Sequence, residues 1–270
     1  MKKRAPLVVA NWKLNGGTDL ICTSVASVLS KSFKAEVGIA PPYVYISDMV
    51  NFLRNSNILV GSQNVSKFAS GAFTGETSAQ MLKEVGCGFC LIGHSERRQM
   101  FLENDASCHT KIERALSAGL MPILCVGEND QQHELGLTHD ILYRQLHQAL
   151  PGLALQEKRL CIAYEPVWAI GTGKAASAEQ VQDVHQYIYQ KRQCGRAIGN
   201  AQCRRSIGGG GESGPGSLCP NLHHCQRRSP VTVIALTAHC RGGHCCPPVA
   251  HLFHKDFLCK LSSRNCSAIR

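Results

Sequence analysis

Several polar side chains in this chain stand where apolar runs end, and they are types that move protons. Glu165 closes LCIAYE (160–165), His94 and Glu96 follow CLIG (90–93), and Asn11 and Lys13 follow LVVA (7–10). Carboxylates and imidazoles are the side chains that most often serve general acid–base chemistry. A carboxylate at the end of a buried strand is costly unless something uses it. The glycines at 171 and 173 in AIGTGK (169–174) can hinge a loop above Glu165.

These residues need a frame that brings them to one place. LVVAN (7–11), EVGIA (36–40), ILVGSQ (58–63), CLIGH (90–94), PILCVGE (122–128) and LCIAYE read as strands, each close to continuously apolar as in a strand buried on both faces. Between them, Thr18–Ser32, Ser78–Val85, Asp105–Ala118, Leu137–Leu150 and Ser177–Tyr189 carry helical spacing. Successive β-then-α units predict a parallel sheet. All strands of such a sheet point the same way, so their C-terminal ends share one face, where a (β/α) barrel places its chemistry. Gln63, Asn64 and Glu128 fall at the same strand ends as the five residues above.

ANWKLNG (10–16), IGHSERR (92–98) and AYEPVWAIGTGK (163–174) resemble the three signature segments of the triosephosphate isomerases, in that family's order and at the expected strand ends. The resemblance covers residues 1 to about 190, implies an α/β fold of the (β/α)8 TIM-barrel type, and implies isomerisation of a triose phosphate through an enediol(ate). In that family a glutamate base works beside a neutral histidine under a closing lid, and the roles below are what the resemblance implies. Glu165 takes the part of the base and His94 that of the residue moving a proton between the two substrate oxygens. Lys13 places a fixed positive charge on the enediolate and phosphate, Asn11 donates a hydrogen bond to the same oxygens, and Trp12 stands between them in the substrate-binding segment. Glu96 belongs to the charged network around Lys13. Residues 166–174 form the lid, with the Gly171 amide on the phosphate, so that the reactive enediol is kept from water.

The family needs no cofactor and no metal. It also implies a role in glycolysis and gluconeogenesis and a cytoplasmic homodimer, in which the loop FTGETSAQML (73–82) carries Thr74 toward the partner's lysine.

Beyond residue 190 the pattern changes. All of the formal net charge of +10 arises after that point, where there are 12 Lys+Arg, 2 Asp+Glu and nine of the 15 cysteines. Periodic apolar spacing stops, and VTVIALTA (231–238) is the one segment that reads as a further strand. The family's Tyr-Gly-Gly-Ser motif after strand 7 and Gly-Gly motif after strand 8 are missing, although IGGGGESG (207–214) keeps glycines near the expected place. Residues 1–190 therefore read as barrel units 1 to 6. Residues 191–270 read as an irregular basic, Cys-rich tail in place of units 7 and 8, with the composition of a frame-shifted translation.

Lys2, Lys3 and Arg4 resemble the start of a signal peptide, but the apolar run from Pro6 to Ala10 is too short, and no stretch reaches membrane-span length. Six cysteines scattered through apolar segments of the body suit a reducing compartment. Cys87 and Cys90 form a C-x-x-C without a thioredoxin-like context, which argues against a redox pair. His239, Cys240, His244, Cys245 and Cys246 lack paired zinc-knuckle spacing. The basic tail has few aromatics and no nucleic-acid module, so no nucleic-acid partner is expected. The alternative to an isomerase is a catalytically inactive relative whose tail binds metal or polyanion.

Overall fold

The computed structural model describes residues 7–153, 160–170, 172, 174–197 and 231–235. Strands β1 (Leu7–Asn11), β2 (Glu36–Ala40), β3 (Ile58–Ser62), β4 (Phe89–Ile92), β5 (Met121–Val126), β6 (Leu160–Tyr164) and β7 (Val231–Ala235) form one parallel sheet in sequence order. The helices joining them are α1 (Thr18–Leu29), α2 (Ile46–Leu53), α3 (Ala79–Val85), α4 (Ser95–Met100), α5 (Asp105–Ser117), α6 (Asp130–Glu134), α7 (Thr138–Ala149) and α8 (Ala178–Ala197).

Alternate strand residues enter two separate cores, which is why the strands read as unbroken apolar runs. Leu7, Val9, Phe89, Leu91, Ile123 and Cys161 meet inside the curl of the sheet. Ala10, Ile39, Val60, Ile92, Leu124 and Ile162 pack outward under the helices. Phe89 is fully buried in the inner core, and Gly61 leaves room for it: a Cβ there would stand 2.5 Å from the ring. On the outer side α5 presents Cys108, Lys111, Ile112, Ala115 and Leu116, and α7 presents Ile141, Leu142, Gln145, Leu146 and Ala149, each at i, i+3, i+4 spacing.

Five body cysteines are buried and free, as small hydrophobes are, whereas Cys22 is exposed on α1. Burial pushes the Cys87 thiol up to about 11 and the Cys108 thiol up to about 12, which leaves both protonated and unreactive.

The structure differs from the sequence expectations in several places. β4, β5 and β6 end before His94, Glu128 and Glu165, although the backbone pairing of β5 with β6 continues there, with the Glu165 amide donating to Val126 at 2.8 Å and the Val167 amide to Glu128 at 3.2 Å. α2, α4 and α6 were not anticipated. α4 (SERRQM) buries only Ser95 and has no apolar face to read. α2 buries Ile46, Met49 and Leu53, a spacing that was legible. α8 runs to Ala197, past the expected end at Tyr189. Val231–Ala235 does form a strand, and it covers the outer edge of β6 with Tyr164 opposite Ala235. Among the described residues β1 pairs with β2 alone. The 207–214 glycines, the Cys/His group at 239–246 and the charged start at 2–4 lie outside the described residues. No described helix is long and apolar enough to cross a membrane.

Candidate active site

The site begins with the turn after β1. Lys13 has φ 53, in the left-handed region that a lysine adopts at a cost of about 1–3 kcal/mol. Three side-chain hydrogen bonds support that turn. Asn11 Oδ1 accepts from the Lys13 amide at 3.0 Å, while Gln63 Nε2, from the end of β3, donates to the carbonyls of Lys13 and Ala40 at 2.9 Å each. The Lys13 ammonium is thereby aimed at Glu96, with Nζ 2.7 Å from Oε1. Trp12 is placed differently from its neighbours. Its indole is fully buried in the helix-side core, so only its backbone belongs to this turn.

His94 caps the N-terminus of α4. Its Nδ1 accepts from the Glu96 amide at 3.2 Å, which assigns the ring proton to Nε2. Nε2 in turn lies 3.0 Å from Glu165 Oε1. The other carboxylate oxygen of Glu165 accepts from the Ser95 amide at 2.9 Å, and the residue is only 2% exposed. Glu165, His94, Glu96 and Lys13 thus form one connected line across the C-terminal face of the sheet, from β6 through β4 to β1.

Two buried carboxylates that the sequence did not single out as site residues support this line. Glu103 Oε1 accepts from the Gly93 amide at 2.8 Å, and Oε2 accepts from Arg97 Nε at 2.7 Å and Lys111 Nζ at 2.6 Å. Lys111 also donates to Asn64 Oδ1 at 2.7 Å. This network pins the residue immediately before His94. Burial works against ionising Glu103, but the Lys111 charge and the hydrogen bonds outweigh it and hold the carboxyl below its ordinary range. Glu128 Oε1 accepts from the Tyr164 hydroxyl and from Trp168 Nε1, both at 2.9 Å, and from Thr138 at 3.2 Å. Burial, reinforced by Glu128, pushes the Tyr164 phenol well up, so it remains a donor. Trp168 belongs to the 3-10 turn Val167–Ala169 that follows Glu165 and Pro166, so Glu128 holds that turn. Gly171 lies outside the described residues, whereas Thr172 Oγ1 caps the Trp168 carbonyl at 2.9 Å.

Gly127 sets the depth of Glu165. Gln145 of α7 grips both of its backbone groups, at 2.9 and 3.1 Å, and a Cβ at Gly127 would stand 1.8 Å from the Glu165 carbonyl oxygen. Gly127→Ala is therefore expected to destabilise by about 1–3 kcal/mol through overpacking. It is also expected to lower activity about 100-fold by displacing the carboxylate. Thermal unfolding and steady-state kinetics on one preparation check both.

The triosephosphate isomerase family model matches residues 6–213. The chain belongs to that family. Its match extends past residue 190 into the glycine segment, farther than the signature motifs reach. Among curated triosephosphate isomerases, that of Alcanivorax borkumensis is 46% identical over 188 residues, covering 69% of this chain and 76% of the relative. That of Serratia proteamaculans is 45% identical over 189 residues, covering 68% and 74%. The crystal structure of the Bartonella henselae triosephosphate isomerase superposes with a TM-score of 0.62 at 36% identity, covering 70% of this chain and 76% of that one. These matches leave about 30% of this chain uncovered.

Proposed function

We propose that this chain interconverts glyceraldehyde 3-phosphate and dihydroxyacetone phosphate, as a triosephosphate isomerase, by proton transfer through an enediol(ate). The observation that carries this reading is the contact of Glu165 with a histidine whose proton is on Nε2, beside a lysine fixed by its own turn. Glu165 acts as the base, removing the proton next to the carbonyl and returning it to the neighbouring carbon. His94 is a donor at Nε2, suited to polarise the carbonyl and pass a proton between the substrate oxygens. Lys13 supplies positive charge to the developing enediolate and to the phosphate, Glu96 orients it, and Asn11 and the Trp12–Lys13 backbone complete the binding turn. The Gly171 amide would close on the phosphate. The substrate enters between Glu165 and His94, replacing their mutual contact with contacts to itself.

Residues 191–270 lack the family's two phosphate-holding glycine motifs. Each donor lost is worth roughly 1–3 kcal/mol, so turnover is expected to be slow and KM raised. The reading of an inactive relative with a metal- or polyanion-binding tail finds no support in the family matches, which all concern isomerases. A cytoplasmic setting and a homodimer fit the family. Thr74 stands exposed on a loop stiffened by the stacked rings of Phe68 and Phe73, 3.6 Å apart, which is a surface able to enter a partner. A coupled assay on the purified full chain tests the activity. Isomerisation above the level of a Glu165→Gln control supports it, and a rate equal to that control overturns it. Sedimentation of the same sample is expected to show a dimer that Thr74→Trp weakens.

A further inference from the structure

Arg98 is the second arginine of IGHSERR, and its side chain is only 17% exposed. The ladder joining β4 to β5 runs from Phe89 opposite Met121 to Ile92 opposite Leu124. Gly93, with φ 70, then turns its chain out of the sheet, and there the Arg98 guanidinium takes over the joint. Its Nε donates to the Gly93 carbonyl at 2.7 Å, and a terminal nitrogen donates to the Cys125 carbonyl at 3.2 Å. The other terminal nitrogen pairs with Asp105 at the start of α5, 2.5 Å away. A cavity of about 130 Å³ adjoins this joint, bordered among others by Gly93, Arg98, Gly127, Gln145 and Glu165. Packing does not close that side, so hydrogen bonds fix the distance between the two strand ends.

We propose that Arg98 is a positioning residue for the acid–base pair: by holding the Gly93 and Cys125 carbonyls together, it sets the distance between His94 and Glu165. The inference deepens the isomerase reading and rests on it for its kinetic part. Both reacting side chains stand next to the backbone that Arg98 holds. His94 follows Gly93 directly. Val126 follows Cys125, and its carbonyl accepts from the Glu165 amide at 2.8 Å. The contacts that depend on this spacing are the 3.0 Å approach of His94 Nε2 to Glu165 Oε1 and the 2.9 Å bond from the Ser95 amide to Glu165 Oε2. A planar guanidinium reaches acceptors in different directions at once, whereas an ammonium in its place cannot span them.

The neighbouring charges have other tasks. Arg97 is taken by Glu103 at 2.7 Å, and Glu103 holds the Gly93 amide while Arg98 holds the Gly93 carbonyl. A side chain at position 93 would collide with this arrangement. A Cβ there would stand 2.9 Å from an Arg98 terminal nitrogen and 2.8 Å from Cys108 Sγ. Glu103 thus braces the turn after β4 from the α5 side. Arg98 links that turn to the next strand, and this link governs the distance between the two reacting groups.

The test compares Arg98→Lys and Arg98→Gln with Asp105→Asn. Lysine keeps the charge opposite Asp105 without the fork and glutamine keeps neither, so the comparison does not depend on one variant folding. Both are expected to lower kcat about 10- to 100-fold, with KM changed by less than about threefold because the Asn11–Lys13 turn is untouched. Asp105→Asn keeps an oxygen for Arg98 but removes the ion pair, so its melting temperature is expected to fall while kcat stays within about threefold. A second readout needs no turnover: the ring nitrogen NMR signals of His94. In the unaltered chain they are expected to show one tautomer with the proton on Nε2, and in both Arg98 variants to move toward the average of exchanging tautomers. Unmoved His94 signals, a kcat in Arg98→Lys within about threefold of the unaltered chain, or an equal loss of kcat in Asp105→Asn overturns the proposal. A chain without isomerase activity whose His94 signals move loses that reading and keeps this inference. An active chain in which they do not move does the reverse.

Discussion

Replacing Glu165 by glutamine is expected to lower kcat by about 10²–10⁴-fold while the fold is retained. The amide keeps an acceptor oxygen for the Ser95 amide, the 2.9 Å contact that holds the side chain, and keeps nearly the same shape in a site that is 2% exposed. What it loses is the ability to take a proton from carbon. Burying a neutral group in place of a carboxylate removes a desolvation cost, but with the amide oxygen on Ser95 the amide NH2 faces the Nε2–H of His94, so thermal stability should change by no more than about 1–2 kcal/mol. The measurement is kcat in the coupled assay beside a melting curve. A loss of activity accompanied by a large loss of stability would mean that Glu165 is a structural strut. Unchanged activity would remove it from the chemistry altogether.

The largest stability effect is expected at Glu103. Glu103→Leu leaves the buried Lys111 ammonium without its carboxylate and the Gly93 amide without an acceptor, and is expected to cost about 3–5 kcal/mol. Pairing it with Lys111→Met removes the stranded charge, so the double variant should recover much of the loss. Chemical denaturation of the two single variants and the double closes that cycle. The same network predicts an acid dependence. The folded carboxyl of Glu103 lies below its unfolded value, so the stabilisation is fully present above the unfolded value near pH 4.3 and disappears as pH falls through the folded one. The acid limb of the stability curve should therefore be shallower in the double variant than in the unaltered chain. Because Glu103 holds Gly93, the residue before His94, its loss should also reduce kcat in whatever fraction remains folded.

The strands were legible because both of their faces are buried, which forces continuous Val, Ile, Leu and Cys. β1 and β2 have the bounds read for them, whereas β3 to β6 end one or two residues earlier than read, because residues such as Glu128 and Glu165 look like strand termini when only composition is available. The long helices showed through i, i+3, i+4 apolar spacing, whereas α4 could not, since six residues that bury only a serine carry no periodicity. Gly127 had no signal either, because the need for it arises from the backbone of Glu165, 38 positions away.

From the sequence alone came the family and the strand-end positions of the proposed site residues Asn11, Lys13, His94, Glu96 and Glu165, because signature segments encode local turns and the side chains they carry. The tertiary structure decided which atoms meet: the tautomer of His94, the left-handed turn under Lys13, the burial of Trp12 away from the site, and the two hidden carboxylates that brace Gly93 and Trp168. Those depend on contacts between residues far apart in the chain, where a glutamate's partner is chosen by the packing of strands and helices and not by its neighbours in sequence. Glu103, Lys111 and Asn64 illustrate this. Asn64 shows in the sequence only as a polar strand end, Glu103 and Lys111 carry no signal, and the folded sheet brings the three together around the amide that precedes the histidine.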